Sequence, residues 1–123
     1  MRITSLFAIL LCTTLSACGG CNRPSDQRLA RAVLNYWAGQ YNGHSGLRYG
    51  DVRILGVTMN DKCTAGTFEY EAYTSSLNVN TGGWSSMAPN GTTQTGALRG
   101  ADNGNWFATV TWGMGGVATF EVP

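Results

Sequence analysis

The chain has 123 residues and a mass of 13.1 kDa, with 43% hydrophobic and 12% charged residues, a length that allows one compact domain and excludes two. Eight Lys and Arg face seven Asp and Glu, and removal of Arg2 with the leader described below brings the balance to seven against seven. Lys62 is the sole lysine, so the basic stripe that nucleic acid or anionic lipid would need is missing and neither is expected to bind by charge.

Met1-Arg2 sets a positive charge ahead of an apolar run from Ile3 to Leu15, broken only by small hydroxyl residues and one cysteine. That is the h-region of a signal peptide, assigned to residues 1–17. A membrane-spanning helix needs about 20 apolar residues, and this run stops at Leu15-Ser16-Ala17-Cys18-Gly19-Gly20. The Leu15-Ser16-Ala17-Cys18 segment resembles, at all four positions, the lipobox of bacterial lipoproteins. The resemblance is confined to the leader and is silent on the fold. It implies diacylglycerol on the Cys18 thiol, cleavage before that residue and acylation of the new amino terminus. Several acyl chains, at about 0.8 kcal/mol per buried methylene, hold a protein on a bilayer permanently. Gly19 stands where an inner-membrane lipoprotein commonly has aspartate, which in a bacterium with two membranes implies the periplasmic face of the outer membrane. The alternative is an ordinary signal peptide cut after Ala17, leaving Cys18 free.

Cys12 leaves with the leader and Cys18 carries lipid, so Cys21 and Cys63 remain. Outside the cytoplasm they are expected to pair, and closing about 42 residues is worth roughly 4 kcal/mol in the chain-entropy model, against a domain stability of about 5–15 kcal/mol. In the alternative, Cys21 sits free in a tether. With one histidine, His44, and no CxxC left, no sulfur-based metal site is expected.

Residues 18–24 read as a lipidated tether whose last six residues reach at most about 20 Å, so the domain of residues 25–123 rides close to its membrane. Ser25 or Asp26 caps a helix in which Leu29, Ala32, Val33, Tyr36, Trp37 and Tyr41 share one face, with Arg28, Arg31 and Asn35 opposite and Asn42-Gly43 ending the run. Everything after His44 reads as strands and turns. Val52 and Ile54 alternate, then Leu55, Val57 and Met59 continue in the opposite phase, which predicts a bulge near Leu55-Gly56. Phe68, Tyr70 and Ala72 face one way, Glu69 and Glu71 the other. Ser75 to Gly91 reads as a long loop around Trp84, with Leu77 and Val79 as a candidate extension of the preceding strand. Further strands follow over Thr92 to Arg99, Trp106 to Trp112 and Val117 to Val122.

The fold class is α+β: one N-terminal helix packed on a four- to five-stranded antiparallel meander, with Leu29, Val33, Tyr36 and Trp37 against Phe68, Tyr70, Val110 and Trp112. This element order resembles the cystatin-like roll shared by many small bacterial lipoproteins. The Gln-x-Val-x-Gly loop of true cystatins is missing, so the resemblance implies no cysteine-protease inhibition. The alternative is a small β-barrel or sandwich with an external helix.

Chemistry is scarce. His44 lies in the Asn42-Gly43-His44-Ser45-Gly46 turn and receives no role. Glu69 and Glu71, about 7 Å apart on one strand face, would suit paired-carboxylate chemistry or calcium but equally form an ordinary solvent face. No catalytic residue, cofactor or small-molecule substrate is assigned. Ser45-Gly46-Leu47-Arg48-Tyr49 resembles the Ser-Gly-x-x-Tyr loop with which membrane-bound inhibitors of c-type lysozyme enter the enzyme's cleft; those inhibitors are all-β, whereas here the motif follows a helix. The resemblance implies partner contacts for Ser45, Arg48 and Tyr49. Trp84, flanked by Gly82-Gly83, is either a partner anchor or a cap on the sheet. The expectation is a non-enzymatic, lipid-anchored envelope protein that binds another protein as a component of an envelope or secretion assembly. The second choice is an inhibitor or immunity protein against a cell-wall lytic enzyme, and the third a small hydrolase using Glu69 and Glu71.

Overall fold

A computed structural model describes residues 21–91 and 93–123. The leader, its Leu15–Cys18 motif and Thr92 lie outside the described residues. The domain is α+β, as expected, with helix α1 (Asp26–Tyr41) followed by strands β1 (Leu47–Met59), β2 (Ala65–Ser76), β3 (Ala88–Pro89), β4 (Gln94–Gly100), β5 (Trp106–Trp112) and β6 (Gly116–Val122).

Ser25 caps α1, its hydroxyl accepting from the Arg28 amide at 3.1 Å, and Asp26 in the first turn suits the helix dipole. Leu29, Ala32, Val33 and Trp37 are buried while Arg28, Arg31 and Asn35 are exposed, as the 3.6-residue repeat dictates. At the other end the Asn42 side chain accepts from the Tyr49 amide at 2.7 Å and donates to the Tyr49 carbonyl at 3.0 Å, pinning the helix terminus to β1.

The sheet is antiparallel in the order β1-β2-β4-β5-β6, a meander in chain order. The sixth strand is the two-residue β3, which pairs with Tyr73 and Thr74 of β2 above the stretch that β4 occupies. The expected bulge is present: Ile54 pairs with Tyr70 and Gly56 with Glu69, leaving Leu55 unpaired. A second, unexpected bulge leaves Gly50 unpaired between Tyr49 and Asp51, and the Met87 side chain lies over Gly50 where any Cβ would collide with it.

The sheet curls so that both edge strands reach the helix. On the β6 side Tyr36 stacks on Phe120 with ring centroids 5.1 Å apart, and Arg28 Nε donates to the Pro123 carbonyl at 2.9 Å. Between them the concave face buries Val52, Phe68, Tyr70, Ala72, Leu98, Trp106, Ala108, Val110 and Val122. Gly96 leaves room for the Phe68 ring, which a side chain at that position would strike. Two expected core members sit at the rim instead: Tyr36 is partly buried and Trp112 is 39% exposed. A 16-residue helix is about 24 Å long, whereas the 12 residues of β2 extend about 40 Å, so α1 cannot cover the whole concave face.

Residues 21–24 are fastened to the domain. Cys21 is disulfide-bonded to Cys63, with their Cα atoms 5.5 Å apart and 42 residues of sequence between them, and Pro24 is fully buried. Cys63 has φ +60°, a left-handed conformation that costs an L-residue about 1–2 kcal/mol. The turn that holds it is closed by Asn60, whose side chain accepts from the Thr64 amide at 2.9 Å.

Candidate functional site

Strand direction sorts the molecule into two ends. Met59 pairs with Gly66 and Trp106 with Val122 at the disulfide end, whereas Leu47 pairs with Ser76 and Trp112 with Gly116 at the other. Helix α1 starts near the first and finishes near the second, where its cover runs out.

An aromatic cluster fills that second, open end. Trp37 stacks on Tyr41 and Tyr49 with centroids 6.0 and 5.6 Å away and meets Trp112 edge-on at 5.3 Å. Its indole nitrogen donates to the Tyr70 hydroxyl at 3.3 Å, and the Tyr49 hydroxyl accepts from the Asn90 amide, also at 3.3 Å. These side chains line a cleft of about 160 Å³, and no charged side chain lines it. Burial pushes the Tyr49 and Tyr70 hydroxyls up from the usual tyrosine range; Tyr41 reinforces the shift at Tyr49, while the hydrogen bonds from Asn90 and Trp37 oppose it. Both phenols are therefore neutral at ordinary pH. Pockets for drug-sized ligands run from about 300 to 1,000 Å³, so this cleft has room for about one side chain.

Beside the cleft, on the opposite face of β1, the Arg48 guanidinium lies 3.7 Å from the centroid of the Trp84 ring. Trp84 is half-buried and forms a β-bridge with Leu77. The Gly82 amide donates to the Asn78 carbonyl at 2.7 Å, the Ser85 amide to Ser76 at 2.9 Å, and the Ser75 hydroxyl to Ser85 at 2.5 Å. The expected long loop is therefore a small folded excursion on the end of β2, and Gly82, at φ +76°, closes its turn. Leu77 does extend the pairing beyond β2, but Val79 points out at 84% exposure.

The Ser45–Tyr49 stretch is an exposed, hydrogen-bonded turn that runs into β1. The Ser45 hydroxyl donates to the Tyr41 carbonyl at 2.8 Å and accepts from the Leu47 amide at 3.2 Å, closing the turn between α1 and β1. Arg48 and Tyr49 are already in β1 and, by strand alternation, point to opposite faces. Arg48, Tyr49, Ser45 and Trp84 thus share an end of the molecule without forming one loop.

Glu69 and Glu71 lie on the convex face. Glu71 accepts from the Tyr73 hydroxyl at 2.9 Å and pairs in register with Arg53, which packs 4.6 Å from the Tyr73 ring centroid. The hydrogen bond to Glu71 is the main reason the Tyr73 hydroxyl is pushed up. Among the described residues no three His, Cys, Asp or Glu side chains cluster to hold a metal ion. His44 is exposed in its turn.

Sequence reasoning missed Asn90, which no periodicity marks, and the joining of Tyr41 to Tyr49, although Tyr41 does fall on the apolar stripe of the helix. Comparison of the chain with protein-family models, curated proteins and solved structures finds no match to any of them.

Proposed function

We propose that this chain is a non-enzymatic envelope protein, anchored through lipid on Cys18, that binds another protein with its open end as a component of an envelope or secretion assembly. One observation carries the binding part. Among the exposed large hydrophobic residues, Val79, Met87, Trp112, Met114 and Val117 all belong to the open end, which also holds a neutral aromatic cleft, lined in part by Trp112, sized for one side chain. Exposed apolar side chains concentrated at one end of a small domain support an interaction surface there, and aromatic residues are enriched where interfaces are hottest. The anchor rests on the lipobox resemblance. The inhibitor reading leans on the Ser45–Tyr49 loop, and an arrangement in which Ser45-Gly46 form the turn before β1 while Arg48 and Tyr49 point to opposite faces of that strand gives it little support.

The test uses the acylated protein as bait in envelope extracts, with crosslinking, and compares wild type with Trp84→Ala and with Val79→Ser/Met114→Ser. Capture of a partner should fall at least about tenfold in both variants, the equivalent of 1.4 kcal/mol. Capture unchanged in both would place the interface elsewhere. In parallel, Cys18→Ser should accumulate as unprocessed precursor without incorporated fatty acid, and normal acylation of that variant would remove the anchor.

A further inference from the structure

The disulfide lies at the opposite end of the sheet from the aromatic cleft, and only Gly19 and Gly20 separate Cys18 from Cys21. Three residue steps span at most about 11 Å even when fully extended. Residues beyond Cys21 add no slack, because Cys21 is bonded to Cys63 and Pro24 is buried. Between Gly66 and Ser76, β2 runs ten residue steps, about 33 Å at strand rise. A lipid on Cys18 therefore reaches the Asn60–Thr64 turn and cannot reach the open end.

We propose that the domain stands end-on on the lipid surface, with the Asn60–Thr64 turn against the headgroups and the aromatic cleft pointing away from the membrane. The proposal rests on acylation of Cys18, and the surface chemistry of the two ends agrees with it. At the disulfide end the exposed side chains include Asn60, Asp61, Lys62, Arg99, Asp102 and Glu121, polar and charged groups at ease among hydrated headgroups. Asp61 and Lys62 are adjacent and of opposite sign, so the contact needs no anionic lipid. Among the described residues, one of the exposed large hydrophobics, Leu55, lies in the half of β1 nearer this end, four residues before Met59, and the other five are at the open end, where Met114 is fully exposed. The partner is consequently met from the aqueous side, about 30 Å above the bilayer.

Lys62, the sole lysine and exposed, allows a direct test. The acylated protein, labelled with an amine-reactive fluorophore and mapped to confirm one label, is placed in phosphatidylcholine vesicles carrying a nitroxide on the lipid headgroup. A second protein, Lys62→Arg/Met114→Lys, moves the single reactive amine to the open end. Quenching at position 62 should be at least about threefold stronger than at position 114, because the two sites differ by about 30 Å in height. Equal quenching, or stronger quenching at position 114, overturns the proposal. Fatty-acid incorporation measured on the same samples separates the two readings: an acylated protein without the contrast loses its orientation but keeps its anchor, and an unacylated protein loses the anchor. Reduction of the disulfide, with the fold checked by far-UV circular dichroism, lengthens the free tether to residues 19–23, up to the buried Pro24, and should narrow the contrast in the folded protein.

Discussion

At the end that carries the β1–β2 turn, Cys21 is bonded to Cys63, Pro24 is fully buried, and Leu98, Trp106 and Val122 close the core beneath polar turns. At the other end Trp37 is the last buried ring of the helix, and Tyr41, Tyr49, Trp84 and Trp112 are left partly open to solvent beside an exposed Met114. The difference follows from a mismatch of lengths: a helix of about 24 Å lies on strands of about 40 Å, and the uncovered stretch is where the aromatic residues collect. A small domain with four tryptophans and five tyrosines cannot hide them all, and this one concentrates the surplus at one end.

Breaking the closed end should cost the most. Cys63→Ser, or reduction of the wild type, is expected to remove roughly 4 kcal/mol through the 42-residue loop. For a domain of this size that lowers the melting temperature by about 15–30 °C, which thermal unfolding with and without reductant will show. A loss of only a few degrees would mean that the closed end owes its stability to packing alone. At the open end Trp84→Ala should cost only about 1 kcal/mol in denaturant unfolding, because the half-buried ring loses a cation–π contact and little core. A cost near 3 kcal/mol or more would make Trp84 a cap of the sheet, and the contrast between the ends would shrink accordingly.

The smallest expected effect is alkaline. Burial raises the Tyr49 and Tyr70 hydroxyls above the ordinary value of 10.0 in the folded chain. In the interval above that value the unfolded chain has released these protons while the folded one keeps them. Fewer protons are then bound in the unfolded state, so stability falls as pH rises through that interval. Stability measured across this range should decline, and Tyr49→Phe/Tyr70→Phe should flatten the decline. An unchanged slope in that variant would mean that the phenols titrate as freely as exposed ones.

Much of this architecture was legible because its signals are periodic. Helix α1 followed from i+3 and i+4 spacing, β2 from strict alternation, and the bulge at Leu55 from a change of phase in the apolar pattern. The Cys21–Cys63 bond was expected by elimination, once Cys12 and Cys18 are read as belonging to a leader and its cleavage motif. The bulge at Gly50 becomes readable only once Tyr49 is known to point inward, three positions before the inward Val52, and the likeness of Ser45–Tyr49 to a protruding loop hid that. Strand β3 has two residues, one of them Pro89, too few for any period. Trp112 was placed in the core because alternation along β5 says which way a side chain points; it does not say whether the helix reaches far enough to cover it. The pairing of Trp84 with Arg48 joins residues on separate elements, which local pattern does not register.

The position of the disulfide also sets how the domain carries a mechanical load. A pull on residue 21 does not peel α1 from its N-terminus; it passes through the Cys21–Cys63 bond into the turn between β1 and β2. From there to a partner held at Ser76 or Trp84 the force runs along the covalent backbone of β2, which is already extended, so neither α1 nor the β1–β2 hydrogen bonds lie in its path. With the proposed lipid anchor at one end of this hairpin and a partner at the other, tension would pass through one disulfide and one extended strand and bypass the helix and the core.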